Sequence, residues 1–247
     1  MKILKTYKQL FETSEELIKE TSDLEIKELN YYDIINICNI ETLKIDKEYE
    51  DQHERKYCDY VGDFIKYPQM FEKKYTYLIG IKNNHLVSLF YKVLNDNQNF
   101  YGDGYIISSK KGNANKMFMA MKERGSFTTF SNLDNIGSLK AQLKINAEIL
   151  CLSDTPPDKD NGTYNQNVSN QMLLDLMKNE KIYFNDTYTN EKFFFMNDNG
   201  EIDLSKLSTY LLSNDDIKLI YPKDKFKKDK NGKTTTGLKV YFYHKKQ

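Results

Sequence analysis

The sequence predicts an α/β (α+β) fold, a mixed and mostly antiparallel sheet flanked by helices, followed by a C-terminal α+β extension. Two observations carry this. Residues 75–82, 85–93 and 100–108 are β-branched and aromatic runs separated only by short polar breaks, and strands joined that tightly must run antiparallel. Stretches of helical periodicity lie on both sides, alternating with shorter apolar runs, so helices cover a sheet. A chain of 247 residues without an internal repeat can bury a real core. The expected organisation is an N-terminal helical arm over 1–22, a sheet-and-helix domain over 23–155, and an extension or small α+β module over 156–247.

Along the chain, Leu10, Phe11, Leu17 and Ile18 fall on helical spacing in the arm. Residues 24–29 alternate apolar and charged, the mark of a half-buried strand. Asn30 to Asp33 offers a cap for a helix through Ile34, Ile37 and Cys38. A second helix is expected over residues 46–67, ending before Pro68 because the residue preceding proline resists helix. Asn83-Asn84 joins two strands as a tight hairpin, since Asn tolerates positive φ. After the third strand, Met117, Phe118, Ala120 and Met121 make the apolar face of a helix, closed by Gly125.

A short strand at 126–131, a helix capped by Asp134 or Asn135, and a strand at 147–152 follow. Pro156 and Pro157 break the chain, and 158–167 reads as a polar loop. The extension is expected to hold a helix at 169–179, strands near 182–184 and 193–196 with a turn at Asp198-Asn199-Gly200, a helix at 204–212, and strands at 217–221 and 238–243.

Lys plus Arg and Asp plus Glu number 36 each, with a pI near 6.8, so no global field marks a polyanion binder. Residues 223–233 form a local basic run that reads as solvated loop, although composition does not separate that from a phosphate-contacting patch. Cys38, Cys58 and Cys151 share no metal-like spacing, and an odd count argues against a disulfide framework. His53, His85 and His244 lie far apart and read as surface or hairpin residues, so no metal is expected. No apolar run reaches the roughly 20 residues of a membrane span. The expected setting is cytoplasmic, without a membrane.

The stretch with chemical content is 101–147. Ser108-Ser109-Lys110-Lys111-Gly112-Asn113-Ala114-Asn115-Lys116 reads as a strand end, a small-residue turn and a helix start. Such a turn cradles phosphate, because the first helical amides are unpaired and the dipole favours an anion. The order of elements over 24–152 resembles the GCN5-related N-acetyltransferase superfamily (GNAT). Ser109 to Ala114 stands where that family has Arg or Gln, two variable residues, Gly, one variable residue, then Gly or Ala. Asn135, Ser138 and Lys144 agree with its late helix, whereas Ser109, Gln142 and Asn146-Ala147 depart from it, Gln142 standing where a Tyr often serves as general acid.

The resemblance implies an acyl-CoA-dependent N-acyltransferase using acetyl-CoA or another acyl-CoA as cosubstrate. Backbone amides of Ile106 and Ser108 would hold the pantetheine arm and thioester. Amides from Lys111 through Gly112, Asn113 and Ala114 to Asn115 would hold the pyrophosphate, with Lys110, Lys111 and Lys116 adding charge. Asn135 would approach the thiol end, and Asp103 or Tyr105 would relay the proton of the attacking amine. Two alternatives stay open: a catalytically degenerate binding protein of this fold, favoured by Gln142 and Ser109, and a phage-type enzyme modifying nucleic-acid bases. The amine acceptor is left open, nucleic acid is not favoured as a partner, and a homodimer is compatible with the sequence.

Overall fold

A computed structural model describes residues 24–39, 75–82, 85–93, 105–108, 113–155, 159–160, 163–164, 168–228 and 234–246. Within them the fold is α+β, with antiparallel sheets flanked by helices. The expected arm over 1–22 and helix over 46–67 lie outside the described residues.

The chain divides into two compact units, Met1–Leu94 with Tyr105–Met121, and Asn95–Gly104 with Lys122–Gln247. The first unit holds a four-stranded antiparallel sheet in the order β1 (Glu25–Leu29), β2 (Tyr75–Lys82), β3 (His85–Val93), β4 (Tyr105–Ser108). Helix α1 (Tyr31–Asn39) follows β1. Asn30 caps it, its Oδ1 accepting from the Asp33 amide at 2.9 Å, and this satisfies an amide that would otherwise be orphaned. Strands β2 and β3 pair until Lys82 meets His85, as a two-residue connection requires. Helix α2 (Asn113–Arg124) buries Met117, Phe118 and Met121, the face predicted from their spacing. Gly125 follows its last turn but does not adopt a left-handed φ, contrary to the expected glycine cap.

The second unit contains a three-stranded sheet in the order β5 (Phe127–Asn132), β12 (Lys239–His244), β6 (Glu148–Ser153). The last strand of the chain thus lies between two strands found some ninety residues earlier, antiparallel to both. Residues on both sides of position 155 share one sheet and one core. Helix α3 (Ile136–Lys144) connects β5 to β6 and ends in a Schellman turn. Asn146 adopts φ 59°, its amide reaches Leu143 O at 3.0 Å, and the Ala147 amide reaches Gln142 O at 3.1 Å. Asn therefore does the backbone work expected of glycine at that position, since its short polar side chain tolerates the left-handed region.

Between β6 and β12 the polar loop forms a small hairpin, β7 (Lys159–Asp160) with β8 (Thr163–Tyr164). Helices α4 (Gln171–Lys178) and α5 (Leu204–Ser213) follow, together with a second three-stranded antiparallel sheet in the order β10 (Lys192–Phe194), β9 (Tyr183–Asp186), β11 (Ile217–Ile220). Asn170 and Asp203 cap the two helices. One continuous core joins Leu139 and Leu143 of α3, Leu152 of β6, Leu173 and Met177 of α4, Phe184 of β9, Leu207 and Leu211 of α5, and Val240 and Phe242 of β12. Lys140 of α3 ties the end of α5 down, its Nζ donating to the carbonyl of Asn214 and, at 3.2 Å, to that of Asp215. A cation there complements the negative end of the α5 dipole.

Candidate active site

The predicted phosphate cradle has its two flanks in the first unit. Strand β4 ends at Ser108 and α2 opens at Asn113. The register sets Tyr91 opposite Tyr105, Phe90 opposite Ile106, and Ser88 opposite Ser108. Ala114, Asn115 and Lys116 stand in the first helical turn and are partly exposed, while Met117 and Phe118 turn inward. The first turn of any helix leaves its amides without an intrahelical acceptor. Among the other predicted residues, Asp103, Lys110, Lys111 and Gly112 lie outside the described residues. Asn135 belongs to the second unit. It is exposed and caps α3, its Oδ1 accepting from the Ser138 amide at 3.2 Å.

The second unit holds a buried polar cluster that sequence reasoning missed. Thr129 and Ser131 of β5, Ser138 and Gln142 of α3, and His244 of β12 form one hydrogen-bonded seam. The Thr129 hydroxyl donates to Gln142 Oε1. His244 Nε2 stands 2.9 Å from Thr129 Oγ1 and 3.1 Å from Gln142 Oε1. Gln142 Nε2 donates to Ser131 Oγ at 2.8 Å, and that hydroxyl pairs with Ser138 Oγ at 2.5 Å. With Gln142 Oε1 facing the ring, Nε2 must carry the imidazole hydrogen. Nearby, the buried Lys122 donates to Ile145 O at 2.9 Å.

His244 is therefore not the surface residue expected, being 0 % exposed. Burial pushes its pKa down to about 3, and the Lys122 cation adds to the shift. Gln142, 1 % exposed, is an interior residue that orients hydroxyls. Its amide supplies no proton near neutral pH. The missed signal was the alternation of Phe127, Thr129 and Ser131 on one strand face, with Ser138 and Gln142 four apart on the next helix.

Among the described residues no group of His, Cys, Asp and Glu comes together that could hold a metal ion, and no helix is long and apolar enough to cross a membrane.

No protein-family model matches the chain, and no curated protein matches it in sequence. Solved structures similar to it include an uncharacterized protein from Bacillus halodurans, at 10% identity and TM-score 0.35 over 57% of this chain and 80% of that one. Spermidine N-acetyltransferase from Vibrio cholerae is similar at 13% identity and TM-score 0.34, over 58% and 89%. The N-acetyltransferase PseH of Campylobacter jejuni, in complex with acetyl coenzyme A, is similar at 15% identity and TM-score 0.33, over 55% and 94%.

Proposed function

We propose that this chain is an acyl-CoA-dependent N-acyltransferase, with acetyl-CoA as the first cosubstrate to test. The observation that carries the reading is the passage from β4 to α2. A strand ends at Ser108, the next four residues of the sequence include Lys110, Lys111 and Gly112, and a twelve-residue helix begins at Asn113. That arrangement aims free amides and a helix dipole at one anion, and Lys110, Lys111 and Lys116 add positive charge for a pyrophosphate. Asn135 lies in the second unit, where its side chain caps a helix, and it is left out of the proposed set.

In the reaction a neutral amine attacks the thioester carbonyl, the tetrahedral intermediate expels the CoA thiolate, and the new amide forms. Before the attack the bound ammonium loses its proton, which Asp103 or Tyr105 relays through water to the solvent. A thiol ionises near pH 8.5, so the thiolate leaves without an obligatory acid and takes its proton from water. Catalysis then rests on positioning and on polarising the carbonyl through amides of β4.

The interior placement of Gln142 favours one second reading, a protein that binds acyl-CoA without turnover. Calorimetric titration with acetyl-CoA and CoA tests the shared premise. Micromolar binding, lost in folded Gly112→Glu, is expected, and no binding to either ligand by folded protein overturns the proposal. Thiol release on an amine panel then separates enzyme from binder.

A further inference from the structure

The outward face of the second sheet in the C-terminal unit carries aromatic and basic side chains side by side. The register aligns Phe194 of β10, Tyr183 of β9 and Ile220 of β11 in one row, and Lys192, Asn185 and Lys218 in the next. Strand alternation sends Phe193, Phe184 and Leu219 to the core and these six residues the other way. Lys192, Lys218 and Ile220 are exposed, Ile220 at 39 %, and Tyr183 and Phe194 are partly exposed. The two aromatic rings are 5.3 Å apart, inclined at 50°. Lys192 Nζ lies 5.2 Å from the Tyr183 ring centre, on the ring face that a stacked group would occupy.

We propose that this face binds single-stranded nucleic acid, with bases stacked on Tyr183 and Phe194 and phosphates on Lys192 and Lys218. Aromatic rings on adjacent strands offer π-faces to successive bases of any sequence, and lysines beside them neutralise the backbone. The charge of the face is complementary to such a strand, since none of its six residues is acidic. Asp216, the nearest acidic residue along β11, stands beyond the strand end opposite Ile220. At the Ile220 end the chain runs directly into exposed Lys223, Lys225, Lys227 and Lys228. The basic run singled out in the sequence therefore continues from the aromatic row. A zero net charge is a sum over the whole chain and does not describe this face. The proposal stands apart from the acyl-CoA reading and needs none of its residues.

The test is fluorescence anisotropy with labelled oligothymidylate and oligouridylate of about 12 nucleotides, and with a duplex of equal length, on the full chain. Micromolar binding to the single strands, weaker for the duplex, is expected. Tyr183→Leu and Phe194→Leu keep apolar volume but remove the π-face, and each should weaken binding about 5- to 150-fold. Lys192→Ala with Lys218→Ala should reduce the salt slope by about 1.4. Thermal melts establish that the variants are folded. Absence of single-strand binding at about 100 µM protein and low salt overturns the proposal. So does binding indifferent to both aromatic substitutions, tighter binding of polyglutamate than of the oligonucleotides, or a dimer that Tyr183→Leu dissociates in sedimentation.

Discussion

The imidazole of His244 lies flat on the ring of Phe127, with centroids 4.4 Å apart and planes 5° from parallel. The two residues are direct partners across β12 and β5. A protonated ring there would be desolvated and would face the Lys122 cation, so the folded protein keeps it neutral.

This predicts an acid-sensitive window. The folded pKa of about 3 lies below the ordinary 6.5, so between those values the unfolded chain binds a proton that the folded chain refuses. Stability is fully present above pH 6.5 and falls as the pH drops toward 3, by up to about 1.4 kcal/mol per unit from this group. Urea midpoints measured from pH 8 to pH 4 in wild type and His244→Gln should diverge, the variant being flatter. Equal slopes would mean that His244 is not the group responsible. Asp186, whose carboxylate is held below the usual range by the Thr189 and Tyr188 amides, contributes in the same direction only at the acid end.

Gln142 links three elements through one amide, which makes its loss more than the loss of one contact. Gln142→Leu strands the hydroxyls of Thr129 and Ser131 and the Nε2 hydrogen of His244 in the interior. A cost of about 2–4 kcal/mol in chemical denaturation is expected. Thr129→Val alone should be cheaper, and the double variant should lose less than the sum, because the two side chains serve each other. Additive losses would show that the seam does not act as a unit.

Most elements were legible because each had a local cause. Asn30 and Asn135 announced helix starts, Asn83-Asn84 a hairpin, and the spacing of Met117, Phe118 and Met121 a buried face. Two features were not legible. The insertion of β12 between β5 and β6 is a pairing across about ninety residues, and local pattern carries no register at that range. The burial of His244, Thr129 and Gln142 depends on that same pairing, since polar residues alternating along a strand read as solvent-facing until a partner covers them. For the candidate site, the strand and helix flanking Gly112 were readable, and of the two caps the sequence offered, Asp134 or Asn135, the bond to the Ser138 amide selects Asn135.

Cys151 is 0 % exposed in β6, and burial pushes its thiol up to about 12. The reactive thiolate is therefore almost absent at neutral pH. In a Cys38→Ser/Cys58→Ser background, labelling by an aromatic disulfide should proceed only as fast as the unit unfolds, and should accelerate with urea in step with the denaturation curve. Prompt stoichiometric labelling of folded protein would contradict the burial.

Gly80 sits within β2 between Ile26 of β1 and Ser88 of β3. A methyl group added to it would meet Leu24 Cδ1 at 3.1 Å, Ser88 Cβ at 3.2 Å and Met117 Sδ at 3.3 Å. Leu24 and Met117 can give, because the touching atoms lie far out on flexible side chains, but Ser88 Cβ is fixed to the neighbouring strand. Gly80→Ala should therefore destabilise the first unit by about 1–2 kcal/mol by overpacking, despite the better strand propensity of alanine. The strain falls where α2 packs on the sheet through Met117, so amide hydrogen exchange should quicken in α2 more than in α5. Met117→Ala alone leaves a cavity, yet in the Gly80→Ala background it also relieves the clash. The double variant is therefore expected to be more stable than the summed losses predict. Strict additivity, with unchanged exchange in α2, would mean that the helix does not rest on this glycine.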